Sequence, residues 1–354
     1  MAKAKTPPPE PLLLPAGKAG LLIAMLLAGL AAIAALLTAL PNKDYYRWQQ
    51  GDGTILFRAR WIYERIHFDP TPIDVAMIGS SRMEASVRTR ELSAILSQRL
   101  GRPIHVVNFG LPQEGRDLHW TVAEEVLRAR PELRLIVLSQ AGEGVISHPG
   151  FRFVGTDAAI RTAPALYNPS FVENLLTLPY RHLAYFVQGL WPRAFGLSAQ
   201  FDSRIYTARG FDPTRSFTSA TGDVVDRDKQ LDPGNAAAEQ AAIDATTGYD
   251  PKLRYLPIDR RYAVERDYAR RIAGLARARG VTVGFLHVPM FERPEHLADP
   301  GFYAAIGPVM DADFLGRDTQ DYMDLGHLNR HGTARLLPWL ADRMTPIVAR
   351  AEAR

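Results

Sequence analysis

Two short segments carry side chains that together could activate a hydroxyl group. Residues 74–82 read DVAMIGSSR, so Ser81 comes directly after a run that is typical of a buried strand. Residues 321–332 read DYMDLGHLNRHG, which places Asp324 three residues before His327. In an activated nucleophile the imidazole takes the hydroxyl proton, and a carboxylate orients the imidazole. The two segments therefore predict acyl-transfer or ester chemistry.

Each segment also has a plainer interpretation. A Gly-Ser-Ser turn can simply cap the helix that follows it, and Asp324 and His327 can be polar loop residues. Asn329 is most simply the cap of the last helix. His331 follows His327 by four residues, but no glutamate follows His327 in the manner of a zinc protease, and no third ligand is evident. We therefore expect no metal site.

The elements that must position these residues follow a regular pattern. Strand-like apolar runs alternate with segments in which apolar residues have helical spacing. This alternation predicts an α/β domain with a parallel sheet and helices on both faces. A last helix is expected to begin near Asn329, and Pro338 should bend it or end its first part. The predicted strands are residues 73–78, 104–109, 133–138 and 281–288.

In a parallel α/β sheet, sites form outside the carboxyl ends of the strands. Ser81 follows the first strand, and the turn from Asn108 to Gly115 follows the second. Gly110 and Gly115 could bring a backbone amide close to a substrate oxygen, although a tight strand-to-helix connection would need the same glycines. The third strand leads into Gln140.

The composition excludes several classes of site. Apolar residues make up 47% of the 354 residues, which is enough for a large core. The net charge is 42 − 38 = +4, and the basic residues are dispersed, so we expect no nucleic-acid binding. The chain has no cysteine, which excludes disulfides, thiolate nucleophiles and cysteine–zinc sites.

The N-terminus contains an apolar run that predicts a membrane anchor. Residues 20–40 carry no charge, and a helix over them would be about 31 Å long, enough to cross a bilayer. Lys3, Lys5 and Lys18 precede the run and weakly favour a cytoplasmic N-terminus. We predict an uncleaved signal anchor rather than a cleaved signal peptide or a buried core helix, because the run is long and lacks a good cleavage site.

The predicted organisation follows from this anchor. Residues 1–19 form a cytoplasmic tail, and residues 20–40 cross the membrane. Residues 41–72 form a juxtamembrane segment, rich in aromatic residues, that either lies on the membrane interface or packs on the domain. Residues 73–354 form the α/β domain, and residues from about 145 to 258 break its rhythm and are interpreted as an insertion.

The motifs resemble those of the SGNH/GDSL superfamily, specifically its membrane-anchored branch of envelope and polysaccharide O-acyltransferase-like proteins. The resemblance spans residues 73–345 and implies a three-layer, flavodoxin-like domain. It implies that Ser81 is the nucleophile, His327 the base and Asp324 the orienting acid. It also implies an oxyanion hole made by the Ser81 amide and a glycine amide, from Gly110 or Gly115. It rests on Gly79-Ser80-Ser81-Arg82, on Asn108-Phe109-Gly110 with Gly115, and on Asp324-Leu325-Gly326-His327-Leu328-Asn329.

One block departs from the family pattern. The family's hydrolases carry Gly-x-Asn-Asp after the third strand, and the Asn donates into the oxyanion hole. Here residues 138–142 read LSQAG, with no Asn, and Gln140 or Ser139 is the candidate substitute. A missing donor costs on the order of 3 kcal/mol of transition-state stabilisation. The departure therefore favours the transferase-like branch over a fast general esterase.

The resemblance implies a protein of the inner (cell) membrane whose domain faces the periplasm. It would move an acyl group, acetyl above all, onto an envelope or exported polysaccharide, with no metal and no organic cofactor. A multi-pass membrane O-acyltransferase would be the partner that supplies the acyl group. Two alternatives stay open: a deacetylase or esterase of the same fold, and a non-catalytic subunit of a polysaccharide synthesis complex.

Overall fold

A five-stranded parallel sheet forms the centre of the domain. The computed structural model describes residues 16–139, 147–206, 212–219, 221–236, 238–239, 241, 255–292 and 299–352. The order of the five strands is β2-β1-β3-β6-β7, and every neighbouring pair is parallel. A separate antiparallel pair, β4 and β5, lies in the chain between β3 and β6. The strands are β1 (Val75–Ile78), β2 (Val106–Asn108), β3 (Leu135–Ser139), β4 (Phe217–Thr218), β5 (Val224–Val225), β6 (Thr282–His287) and β7 (Val309–Asp311).

The two faces of the sheet bury separate sets of apolar side chains. Along β1, Val75 and Met77 belong to one core cluster, and Ala76 and Ile78 belong to the other. This alternation is the two-residue period of a strand that is covered on both faces. The sheet therefore lies between two helical layers.

The helices divide between these layers. The helices Arg58–His67, Arg116–Ala129 and Ala263–Arg277 supply the first core cluster. The helices Thr89–Leu100 and Arg330–Glu352 supply the second. The remaining α-helices are Ala16–Thr38, Asp44–Trp48, Ser81–Ser86, Phe151–Val154, Asp157–Arg161, Phe171–Leu190, Ile258–Arg261 and Pro300–Ile306, and short 3-10 helices cover Pro192–Phe195, Pro233–Asn235 and Thr319–Asp321.

The predicted α/β class with a parallel sheet is confirmed. All four predicted strands are present within one to two residues of the expected ends. The fifth strand, β7, was not predicted, because three residues at the edge of a sheet carry no readable pattern. The last helix continues through Pro338 to Glu352, so Pro338 does not end it. The assignment to the flavodoxin-like SGNH fold stays a prediction.

The apolar run at the N-terminus forms the helix Ala16–Thr38. Among the described residues, it is the one helix that is long and apolar enough to cross a membrane. The segment that follows it belongs to the domain, because Tyr45, Trp48 and Tyr63 are buried in the first core cluster. Of the two interpretations of residues 41–72, packing on the domain is therefore the one observed.

Candidate active site

Ser81 is presented at the turn between β1 and a short helix. Ser80 has an extended backbone (φ −79°, ψ −171°), and the helix Ser81–Ser86 begins at the next residue. The Ser81 side chain is partly exposed, whereas the Ser80 side chain is buried and its hydroxyl has no hydrogen-bond partner within the described parts of the chain. The Ser81 amide lies in the first turn of the helix, where backbone amides have no partner within the helix.

A closed loop before the last helix holds Asp324 and His327. Tyr322 and Leu328 pair as an isolated antiparallel bridge, and the Met323 amide donates to the His327 carbonyl at 3.0 Å. Asp324 accepts hydrogen bonds from the Gly326 and His327 amides, each at 2.8 Å. These bonds fix the carboxylate beside the imidazole by local backbone geometry.

The cap of the last helix anchors the same loop. The side-chain oxygen of Asn329 accepts from the amides of His331 at 2.9 Å and Gly332 at 3.0 Å. This confirms Asn329 as the predicted cap. Its side-chain amide donates back to the carbonyls of Gln320 at 2.8 Å and Tyr322 at 3.1 Å, so one residue ties the helix start to the loop.

The structure brings the three predicted catalytic side chains together. His327 Nε2 lies 2.8 Å from Ser81 Oγ. His327 Nδ1 lies 2.8 and 3.0 Å from the two carboxylate oxygens of Asp324. The carboxylate can only accept, so Nδ1 carries a hydrogen and Nε2 is left to accept the hydroxyl proton of Ser81. This is the geometry of a serine nucleophile with its base and orienting acid.

The charge of Asp324 is stabilised in this geometry. Burial by itself raises the pKa of this carboxyl, but the neighbouring His327 and the hydrogen bonds from its ring and from the Gly326 and His327 amides outweigh burial. The net result is a pKa below the ordinary value. Asp324 is therefore ionised whenever the protein is near neutral pH, as an orienting acid requires.

The turn after β2 packs directly on the helix that carries Ser81. The side-chain amide of Asn108 donates to the carbonyl of Met83 at 2.9 Å and lies 3.3 Å from that of Glu84. A Cβ at Gly110 would come within 2.6 Å of the Glu84 amide nitrogen, so only glycine allows this close approach. The Gly110 amide, however, donates to the Asn108 side chain at 2.9 Å, and this bond engages the donor that an oxyanion hole would use.

The other two candidate donors have different positions. A Cβ at Gly115 would lie 2.4 Å from the backbone nitrogen of His148, so this glycine is needed for close packing against the segment after β3. Gln140 lies outside the described residues. Ser139, the alternative to Gln140, is buried, and its hydroxyl oxygen accepts from the Ser80 amide at 3.4 Å. It therefore supports the turn that presents Ser81.

Two buried arginines near the site were not predicted from the sequence. Arg58, from the segment after the apolar helix, pairs with Glu84 at 3.1 Å and donates to the carbonyls of Gly110 at 2.7 Å and Asn108 at 2.9 Å. Arg227 contacts the sulfur of Met323 at 3.0 Å, and its positive charge interacts with Asp324 and Glu84. Both contacts join residues far apart in the chain, so no spacing rule could indicate them.

His331 has a structural role in this arrangement. Its Nδ1 lies 2.9 Å from the buried carboxylate of Asp321, and both ring nitrogens of His327 already contact Ser81 and Asp324. Among the described residues, no group of three or more His, Asp or Glu side chains is arranged to hold a metal ion. The arrangement is thus one for proton transfer and nucleophilic attack by a serine.

Comparison of the chain with protein-family models gives no match, and comparison with curated proteins gives none either. The contact of Ser81, His327 and Asp324 is therefore the observation that points to a function.

Proposed function

We propose that the protein is a membrane-anchored SGNH-type O-acyltransferase that acts on an envelope or exported polysaccharide. The observation that carries the proposal is the contact of Ser81, His327 and Asp324, with the 2.8 Å distance between Ser81 Oγ and His327 Nε2 at its centre. The strand order also supports it, since β2-β1-β3-β6-β7 corresponds to the 2-1-3-4-5 order of flavodoxin-like sheets.

The reaction divides into two steps. Ser81 Oγ attacks the carbonyl carbon of an acyl donor while His327 Nε2 takes the hydroxyl proton, and the donor's leaving group departs with that proton. The acyl-serine is then attacked by a sugar hydroxyl, whose proton passes to His327 and then to Ser81 Oγ as the ester bond to the enzyme breaks. Asp324 stabilises the imidazolium in both steps. An acetyl group is the acyl group we propose.

Stabilisation of the oxyanion is expected to be modest. The Ser81 amide is in place at the start of its helix, whereas the Gly110 amide is engaged by Asn108. Gly115 and Gln140 remain the other proposed donors. A weak oxyanion hole still permits acyl exchange when donor and acceptor are held together, because positioning supplies much of the rate.

The helix Ala16–Thr38 is long and apolar enough to cross a membrane, which supports a membrane anchor, and the membrane we propose is the inner (cell) membrane. We propose that the N-terminus is cytoplasmic and the α/β domain periplasmic, since lysines precede the apolar run. A multi-pass membrane acyltransferase is the proposed source of the acyl group. A reporter that is active only outside the cytoplasm, fused after residue 354, should be active, and a soluble mature form beginning near residue 41 would contradict the anchor.

Labelling with a serine-directed fluorophosphonate tests the nucleophile. We expect the full chain in detergent to be labelled, Ser81→Ala to lose the label, and Ser80→Ala to keep most of it. Ser80 is a matched control, because its hydroxyl is one residue away and buried. Equal labelling of the wild type and Ser81→Ala would rule out Ser81 as the nucleophile, and an unlabelled wild type would favour the non-catalytic subunit.

A deacylase is the second candidate, favoured by one observation. The His327 and Asp324 side chains are 28% and 32% exposed, so water can reach the acyl-enzyme. The acyl content of the exported polysaccharide separates the two functions in a strain that carries Ser81→Ala. A transferase predicts a loss of O-acyl groups and a deacylase predicts a rise, whereas no change would contradict both.

A further inference from the structure

The helix Phe171–Leu190 exposes an apolar face and buries several polar side chains. Its face toward the domain contains Asn174, Arg181 and His182 together with Leu178 and Tyr185. Its outer face carries apolar side chains, including Leu176 at 72% exposed and Tyr180 at 68% exposed. The outer residues have the spacing of one helical face, with Val172, Leu175, Leu176, Tyr180, Leu183 and Leu190 all exposed. An ordinary surface helix would bury these and expose the charges.

Hydrogen bonds hold the helix in this orientation. Arg181 donates to the carbonyls of Arg152 at 3.0 Å and Gly155 at 2.7 Å and pairs with Asp157. His182 Nε2 lies 2.7 Å from the second oxygen of Asp157. Rotation of the helix that buried its leucines would leave a guanidinium without these partners, which is costly. These hydrogen bonds therefore keep the apolar face directed away from the domain.

The helix Phe171–Leu190 lies beside the end of the apolar N-terminal helix. His182 Nδ1 lies 3.2 Å from the carbonyl oxygen of Leu40 and 3.1 Å from the side-chain nitrogen of Asn42. These contacts place the middle of the helix Phe171–Leu190 directly beside the point where the chain leaves the helix Ala16–Thr38. Leucines of that N-terminal helix, such as Leu26 at 63% and Leu36 at 71%, are also exposed.

Aromatic and basic residues extend the outer face at its C-terminal end. Trp191 is 61% exposed and Phe195 is 49% exposed. Arg193 is exposed between them. Tryptophan and tyrosine beside arginine are typical of the boundary between lipid chains and headgroups.

We propose that the outer face of the helix Phe171–Leu190 lies in the lipid headgroup region of the bilayer that the N-terminal helix crosses. The inference rests on the proposed membrane anchor. Lipid is the occupant that fits, because the face is apolar, ends in aromatic residues typical of the membrane interface, and belongs to a helix that lies beside the end of the spanning helix. The protein then contacts the membrane through the spanning N-terminal helix and through the helix Phe171–Leu190, which lies in the plane of the bilayer. Together the two contacts fix the orientation of the domain above the bilayer.

Single cysteines test this placement cleanly, because the chain has no cysteine of its own. Leu176→Cys carries an environment-sensitive fluorophore on the outer face, and Tyr180→Cys repeats the measurement at a second exposed position. Leu30→Cys reports on the centre of the proposed anchor. Ala94→Cys, exposed on a helix of the opposite sheet face, is the matched control. Each full-length variant is reconstituted into vesicles of phosphatidylcholine and phosphatidylglycerol containing nitroxide-labelled lipids.

We expect loss of fluorescence at residues 176 and 180 with the nitroxide near the headgroup, and at residue 30 with the nitroxide deep in the acyl chains. Residue 94 should keep its fluorescence with both lipids. Loss at residue 30 without loss at 176 and 180 would overturn this inference and leave the anchor intact. Shielding of 176 from a water-soluble quencher only in native membranes would overturn it in favour of a protein partner. No loss at residue 30 would instead overturn the anchor.

Discussion

At the residue scale, the different environments of Ser80 and Ser81 depend on the end of β1. The backbone is extended at Ser80 and helical from Ser81, so successive side chains point in different directions. Ser80 is buried, and its amide lies 3.4 Å from the Ser139 hydroxyl oxygen, while Ser81 reaches His327. A sequence motif with two serines cannot make this distinction without the strand that precedes it.

Asp324→Asn should lower the rate of reaction at Ser81 by on the order of 10⁴-fold. The amide of asparagine can donate to Nδ1 of His327, which favours the tautomer whose Nε2 carries a hydrogen and cannot accept the serine proton. The rate of fluorophosphonate labelling measures this directly. Asp228→Asn is the matched control, because Asp228 is 59% exposed and pairs only loosely with Arg330 at 3.3 Å. Equal rates for Asp324→Asn and wild type would contradict the role of Asp324.

At the element scale, one side chain joins three parts of the site. Arg58 lies in the helix Arg58–His67, and its guanidinium contacts both the helix that carries Ser81 and the turn that carries Gly110. Burial lowers the pKa of Arg58, and the neighbouring Glu84 opposes this effect. The buried guanidinium is therefore stabilised by the groups that it contacts. The segment that follows the apolar N-terminal helix thereby helps to set the distance between the two turns of the site.

Arg58→Lys should reduce kcat more than it changes KM for an ester substrate. A lysine keeps the charge but cannot bond Glu84, Gly110 and Asn108 at once in the forked geometry of a guanidinium. Arg60→Lys is the control in the same helix, because Arg60 pairs with Glu64 and Ser198 instead. A rise in KM alone, or equal effects of the two variants, would show that Arg58 does not position the site.

A buried histidine links the turn after β2 to the segment after β3. His148 Nε2 donates to the Pro112 carbonyl at 2.8 Å, and its Nδ1 accepts from the Gly150 amide at 2.9 Å. The bond accepted at Nδ1 needs the neutral ring, and burial lowers the pKa of His148 to about 4. Protonation below the ordinary histidine pKa of about 6.5 therefore favours the unfolded chain.

The stability that His148 contributes should be complete above pH 6.5 and lost as the pH falls toward 4. The loss reaches about 3 kcal/mol, at 1.36 kcal/mol for each pH unit between the two pKa values. The buried carboxyl of Asp117, whose pKa is raised by burial to about 6, acts with the opposite sign. The prediction is therefore tested by the difference in the free energy of unfolding between wild type and His148→Gln, measured by urea unfolding at each pH. Parallel plots of this free energy against pH for the two proteins would contradict the prediction.

At the scale of the whole molecule, local patterns predict the sheet and the candidate site residues but not the long-range contacts that support them. The parallel sheet follows from apolar runs, and the meeting of Ser81 with His327 is consistent with the rule that strand ends form the site. The edge strand β7 is too short to have a pattern. The burial of Trp48 and the contacts of Arg58 and Arg227 are long-range, so only the folded chain reveals them.

The buried ion pair between Arg116 and Glu265 allows the contribution of one long-range contact to the free energy of unfolding to be tested. The side chains are 0% and 3% exposed and lie 2.8 Å apart, and Arg116 also donates to the Ser139 carbonyl at 2.7 Å. The pair joins the helices Arg116–Ala129 and Ala263–Arg277 across the end of β3. It lies between segments that are 149 residues apart in the chain.

Removing either partner alone should lower the free energy of unfolding by about 3 kcal/mol or more, because it leaves the other charge buried without its counter-ion. Arg116→Met combined with Glu265→Leu should cost clearly less than the sum of the two single changes, since two apolar side chains need no partner. The coupling free energy between the changes at Arg116 and Glu265 is obtained from urea unfolding of the full chain in detergent. The exposed pair Arg330 and Asp228 serves as the control cycle, where the coupling should stay below about 1 kcal/mol. Additive effects at Arg116 and Glu265 would mean that other contacts hold the two helices together at the carboxyl end of β3.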